Sequence, residues 1–332
     1  MLRRMIAVFE PFVLALLGTV LLASVLPVRG GAVPWFGMLT TAGIVLLFFL
    51  HGAKLSRQAI VDGARNWRLH FAVLAITFAL FPLLGLGLSS LPVLDAATGA
   101  GLLFLTLLPS TVQSSIAFTA IARGNVAAAV CSASFSNLAG IVVTPLLVAL
   151  LMARPGGTVG VSTGAVETIA LQLLLPFVLG HLSRPLTGAF VARHKALVTT
   201  VDRGSILLVV FTAFSAAVVG GLWQRVSGEA LGVTALACCV LLTAVMLAAL
   251  GLGRLLGFPR ADAVVLLFCG SKKSLASGVP MAGVLFSTAQ AGAIILPLMI
   301  FHQIQLIVCA VVARRLAERA DRIEQEDASA ST

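Results

Sequence analysis

Lys272 and Lys273 stand side by side in a stretch that otherwise reads as membrane-spanning, ADAVVLLFCGSKKSLASGVPMAGVLF from Ala261 to Phe286. At roughly 1.5 Å per helical residue Lys272 lies about 16 Å along it, near the middle of a hydrocarbon core ~30 Å thick. A charge at that depth costs on the order of 3 kcal/mol on insertion scales. Membrane proteins keep such a residue where it faces a cavity, pairs with a partner or binds a ligand. Gly270, Ser271 and Ser274 flank the lysines and make a poor helix interior. The pattern predicts a broken helix whose break carries the chemistry, a feature of secondary transporters.

A second interruption lies in LLPSTVQSSIAFTAIARGN, from Leu107 to Asn125. Pro109 removes a backbone donor and disfavours helix at the residue before it. Ser110, Thr111, Gln113, Ser114 and Ser115 then crowd hydroxyls and an amide into the apolar segment. Unwound carbonyls and hydroxyls suit a small hard cation, and half-helix N-termini suit an anion. Taken alone, this motif also fits a proline kink re-satisfied by Ser and Thr. In the next apolar segment Ser132, Ser136 and Gly140 recur every four residues, with Ser134 and Asn137 beside them. That stripe serves close helix packing, or its hydroxyls complete a site beside the first break. Near the middle of LPLMIFHQIQLIVC, His302, Gln303 and Gln305 form a polar cluster, which points to substrate contact.

Other polar residues read as interfacial. Glu10, Asp62, Glu167 and Asp202 fall at segment ends or in loops, and His51, His70 and His181 fall at segment ends beside headgroups. Trp35 and Trp67 read as interfacial anchors. The five cysteines sit in apolar segments without CxxC spacing, so they read as small buried hydrophobes and give no disulfide or metal site. No enzyme motif is present: there is no HExxH, GxSxG, P-loop or dinucleotide fingerprint.

The elements that must position these residues are helices. Of 332 residues 59% are hydrophobic and 10% charged, the balance of an integral membrane protein. No barrel-type alternation appears. Ten spans can be marked, at roughly 11–27, 35–51, 69–90, 96–122, 126–152, 164–182, 204–222, 231–252, 261–286 and 290–312. The first is read as a retained span rather than a cleaved signal. A charged tail follows from Arg314. Between the spans 17 Lys and Arg fall on one side and only Arg29, Arg154 and Arg225 on the other. By the positive-inside rule both termini are cytoplasmic. The net charge of +10 is thus spread along one membrane face and does not indicate nucleic acid. Two halves of five spans, roughly 1–155 and 160–313, must run in opposite orientation, and each carries its polar break in its fourth span.

These residues resemble the bile acid:sodium symporter family over nearly the whole chain. Leu108-Pro109-Ser110-Thr111 through Gln113-Ser114-Ser115, then Arg123-Gly124-Asn125, is similar to the family's CPGG-T-ASN motif followed by basic-Gly-(Asp/Asn). Phe301-His302-Gln303 resembles its W-H-N, and Thr77-Phe78-Ala79-Leu80-Phe81-Pro82 its Q-F-x-x-M-P. SKKSLASGVPMA looks most like the divergent branch that includes vertebrate solute carrier family 10 member 7. The resemblance implies a single all-α membrane domain of ten helices in two inverted repeats, with discontinuous helices four and nine crossing. It also implies a core of spans 3–5 and 8–10 moving against a panel of spans 1, 2, 6 and 7.

The departures concern coupling. The family's two sodium ions are held by a glutamate and a glutamine in span nine and a glutamine in span three. Here span nine has no acid from Ala263 to Phe286, Lys272 and Lys273 stand there instead, and Thr77 replaces the span-three glutamine. A lysine ammonium has roughly the volume and charge of a bound cation, so sodium coupling does not carry over. The expected function is secondary transport of a small or amphipathic organic anion, bound near Lys272, Lys273, Ser274, His302, Gln303, Gln305 and Thr77. No cofactor is indicated, and sodium or a proton is the candidate coupling ion. The lipid bilayer is the expected surrounding, in a bacterial inner membrane, and a homodimer is compatible with the architecture. The competing readings are a regulatory membrane protein of calcium homeostasis and a cation/proton antiporter.

Overall fold

The computed structural model describes residues 11–54, 66–152, 170–225 and 227–330, and among them there are helices and no strands. The chain runs through α1 (Pro11–Val25), α2 (Ala32–Lys54), α3 (Trp67–Ser89), α4 (Ala96–Thr106), α5 (Gln113–Ile121) and α6 (Val126–Leu151). A π-turn, Ala170–Leu174, then leads into α7 (Leu175–Leu182), followed by α8 (Arg184–Arg193), α9 (Lys195–Val219) and the short α10 (Leu222–Arg225). The last four are α11 (Gly228–Leu255), α12 (Arg260–Gly270), α13 (Leu275–Leu285) and α14 (Thr288–Ala330).

Six helices among the described residues are long and apolar enough to cross a membrane: α2, α3, α6, α9, α11 and α14. A seventh crossing results if α7 and α8, bent by 89° at their junction, are taken together. The remaining segments marked in the sequence are short or interrupted. The stretch 96–122 divides into α4 and α5, and 261–286 into α12 and α13. The last helix continues well past residue 312, with its charged stretch still helical.

Helix starts follow local chemistry. Asp95 caps α4 by accepting from the N–H groups of Ala97 and Thr98, and Asn125 caps α6 through Ala128. Ser227 caps α11 and Ser274 caps α13 in the same way. Two groups of helices pack on a shared apolar core. In one, α1 and α2 pack against α9, and α7 packs on α2. Gly52 of α2 and Gly180 of α7 let those backbones touch, because a Cβ at either position would overlap a carbonyl of the other helix. In the other, α3, α4, α6 and α11–α14 enclose both interruptions. The cysteines are free thiols; four are buried as expected, but Cys239 is exposed.

The long last helix is fixed at its polar end. Arg260 donates to the carbonyls of Ala122 and Leu316, and Arg123, in a left-handed conformation at φ 54°, pairs with Asp321.

Candidate functional site

The two interruptions meet each other directly. Ser274 N–H donates to the Pro109 carbonyl at 2.8 Å, and Ser115 Oγ donates to the Phe268 carbonyl at 3.2 Å. A break strands carbonyls that no helix partner can reach, and several of these have partners from elsewhere in the chain. Ser110 N–H bonds Ser136 Oγ at 2.9 Å, so it is not spent on the preceding turn. Thr144 Oγ1 serves the Leu107 carbonyl at 2.7 Å, and Asn137 Nδ2 serves that of Ser110 at 2.7 Å. The carbonyls of Thr106 and Leu108 are taken by Lys273 Nζ, both at 2.7 Å.

The third acceptor of Lys273 Nζ is the Thr77 carbonyl, at 2.8 Å. It is free for a local reason. Residues Ile76–Leu80 form a π-turn in which Phe81 N–H bonds back five residues to Ile76. In that register Thr77 would be served by residue 82, which is Pro82 and has no N–H. Three ammonium donors therefore meet three carbonyls, with the Phe81 ring centroid 4.1 Å away. Lys273 is fully buried and ties α3, the end of α4 and the second break together.

Lys272 is equally buried but differently placed. Its Nζ has no hydrogen-bond partner among the described residues. It lies 3.9 Å from the centroid of the Phe118 ring and 5.8 Å from that of Phe268.

A cavity of about 370 Å³ opens between the two helix groups. Its floor is formed by Thr111 and the first residues of α5 (Gln113, Ser114) and by Ser274 and the first residues of α13 (Ala276, Ser277), with Asn137 and His302 beside them. The leading N–H groups of both half-helices lack intrahelical acceptors by position. Phe12, Phe48 and Phe177 give the cavity an apolar wall, and Lys54, Asp202 and Arg203 also line it.

The structure thus sorts the residues singled out in the sequence. Thr111, Gln113, Ser114, Asn137, Ser274 and His302 line the cavity together. Lys272, Lys273, Gln303, Gln305 and Thr77 are not in its wall. Gln305 is fully buried and brackets the backbone of Lys273, accepting from its N–H and donating to its carbonyl, each at 2.9 Å. Thr77 acts through its carbonyl, while its hydroxyl, like that of Ser110, has no partner among the described residues. Ser271 Oγ bonds back to Leu267 at 2.6 Å. The stripe on α6 holds neighbours: Ser132 Oγ pairs with His70 Nδ1 at 2.7 Å, Ser136 receives Ser110 N–H, and Gly140 makes room for the Pro109 ring.

Three interfacial readings need correction. His70 is buried against Ser132 and Phe135, because α3 packs that end on α6. His51 lines the cavity. Asp202 lies within α9 and pairs with Lys54 on the cavity wall. His181 is half-buried where α7 abuts α2. Trp35 and Trp67 are exposed, as membrane anchors would be. Glu10, Asp62 and Glu167 lie outside the described residues.

Ser134, named beside the stripe, lines the cavity; sequence reasoning missed Ser277 and the Lys54–Asp202 pair. Ser277 was findable, because Ser274-x-x-Ser277 places it in the first turn after a cap. The ion pair joins residues 148 apart, and no local pattern announces it.

A family model described as the SBF-like CPA transporter family matches residues 10–318. The chain is 52% identical to YfeH of Escherichia coli K12, provisionally named a symporter, over 99% of each chain. It is 56% identical to an uncharacterized protein of Pseudomonas aeruginosa over 94% of each. To the sodium/bile acid cotransporter 7 of Danio rerio it is 25% identical, over 91% of this chain and 92% of the relative.

Proposed function

Since the chain belongs to the SBF-like CPA transporter family, we propose that it carries a small or amphipathic organic anion across a bacterial inner membrane by alternating access. The observation that carries this reading is the cavity floor, where the N-termini of α5 and α13 and the ring of His302 converge below an apolar wall. Half-helix N-termini stabilise an anionic group without a fixed countercharge. The phenyl-lined wall suits an apolar body on the same ligand.

In this reading ten crossings form two inverted halves: α1–α5 with α6, and α7 with α9–α14. The short α4/α5 and α12/α13 pairs are the discontinuous crossings, and their direct contact supports that architecture. The 17-to-3 charge split supports cytoplasmic termini and a cavity that opens to the cytoplasm at Lys54 and Arg203.

Transport in this reading does not depend on sodium. Lys273 already places a tethered cation among three carbonyls at the crossing. A sodium ion there would have to displace an ammonium whose donors are all matched.

The relatives' names supply a first probe, a bile acid. Taurocholate is expected to raise the melting temperature of the purified protein equally in sodium and in potassium buffers, and to accumulate in proteoliposomes in both. A strict sodium requirement would remove the coupling claim. Absence of binding by taurocholate and by smaller carboxylates alike would remove the substrate class.

A further inference from the structure

His302 is held by an amide whose orientation is decided by its surroundings. Gln305 Oε1 accepts from Lys273 N–H, and Gln305 Nε2 donates to the Lys273 carbonyl. Turning the amide over would set donor against donor and acceptor against acceptor, so that orientation is excluded. The second hydrogen on Nε2 is then directed at His302 Nδ1, 2.8 Å away. Nδ1 must accept it, and the ring's own hydrogen is carried on Nε2.

His302 is 8% exposed and lines the cavity. With Nδ1 turned to Gln305, Nε2–H is the donor that remains on a ring lining the cavity. The neighbouring fixed groups are occupied. Asn137 spends both amide hydrogens on the carbonyls of Ser110 and Ala133, and its oxygen accepts from Ser277 Oγ. Ser274 Oγ donates to Ser277 Oγ and accepts from Ser277 N–H. The rigid groups that remain at the floor are donors: His302 Nε2–H, the leading N–H groups of α5, and those of Leu275 and Ala276 at the start of α13.

We propose that Gln305 is a positioning residue that sets head-group selectivity: it locks His302 in the Nε2–H tautomer, so that the cavity floor selects acceptor-only heads, carboxylate or sulfonate, over carboxamides of the same shape. This rests on the transport reading above. Gln305 does not touch the ligand. It acts through His302, and it ties that ring to the backbone of the second break.

Two measurements test it on the full-length protein in detergent. The first is the side-chain nitrogen spectrum of protein labelled with ¹⁵N-histidine, with the His302 signals identified by their loss in His302→Gln. The parent is expected to show Nδ1 unprotonated and Nε2 protonated. Gln305→Glu keeps the side-chain shape but puts an oxygen where Nε2 donates, and Nδ1 is then expected to carry a proton. A protonated Nδ1 in the parent, or the same pattern in both proteins, overturns the lock. The second is the affinity ratio of cholate to its primary carboxamide. Gln305→Met is expected to lower that ratio about tenfold, the scale of one hydrogen bond to a charged group. General damage would weaken both ligands alike, and an unchanged ratio overturns the selectivity claim. If the parent binds neither ligand, the substrate class and the selectivity claim both fall, while the nitrogen spectra still decide the lock.

Discussion

Lys273 and Lys272 are neighbours in the chain and both are fully buried, yet their surroundings have opposite character. Lys273 meets three carbonyls from two helices, each of them stranded by a proline or a helix end. Lys272 meets ring faces and no acceptor. Removing a paired buried charge strands its partners, whereas removing an unpaired one relieves a cost. The same substitution in adjacent positions should therefore move stability in different directions.

The largest effect is expected from Lys273→Met. It keeps the stem but leaves the carbonyls of Thr77, Thr106 and Leu108 without donors in a dry interior. A loss of about 3–5 kcal/mol is expected, the range for breaking a buried charged network. Denaturant unfolding in detergent measures it, and a variant as stable as the parent would mean that the cage holds nothing together.

The second prediction sharpens the origin of the cage. Pro82→Ala restores an N–H that can serve the Thr77 carbonyl in the π register. The cost of Lys273→Met should then shrink by about 1 kcal/mol, within the usual range for residues sharing a partner. Strict additivity of the two substitutions would show that Pro82 does not create the vacancy that Lys273 fills.

Lys272→Met is the opposite arm. It replaces an ammonium without acceptors by an apolar chain of similar length between Phe118 and Phe268. Stability should be unchanged or raised, by up to about 1–2 kcal/mol. A loss as large as that of Lys273→Met would erase the distinction between the two sites.

Both lysines were conspicuous in the sequence, because charge at mid-span is costly whatever surrounds it. Both interruptions were legible for a similar reason: Pro109 and the Gly270–Ser274 cluster are poor helix in any context. What separates the lysines was not legible. The acceptors of Lys273 lie 165 to 196 residues away in the chain, and one is free only through a π-turn. Local spacing carries no trace of either fact. Gln305 likewise read as one more polar group beside His302, because its partner is a backbone rather than a side chain. Within 96–122 the helix stops in its polar middle, where the break was expected. His70 and Asp202 were assigned to the interface from position alone, and packing between distant helices overrode that position.

Comparing the lysine variants across pH needs a group whose response owes nothing to either of them. Asp95 provides it, in the turn before α4. Burial pushes its carboxyl up, but hydrogen bonds from the Thr98 hydroxyl and from the N–H groups of Thr98 and Ala97 outweigh this and hold it below its ordinary value of 3.8. A carboxyl with a depressed folded pKa contributes stability that is present above the unfolded value and lost as pH falls through the folded one. Asp95→Asn keeps a capping oxygen but cannot titrate. At neutral pH it should cost on the order of 0.5 kcal/mol, at the low end for a cap in a partly exposed site. Below the folded pKa of Asp95 the variant and the parent should unfold alike. The same pH-dependent difference should appear in the Lys272→Met and Lys273→Met backgrounds, because sites without shared partners add. If the acid response of Asp95 changes when Lys273 is removed, the cage extends its influence along α4 to the cap at its far end, and the two lysines differ in reach as well as in partners.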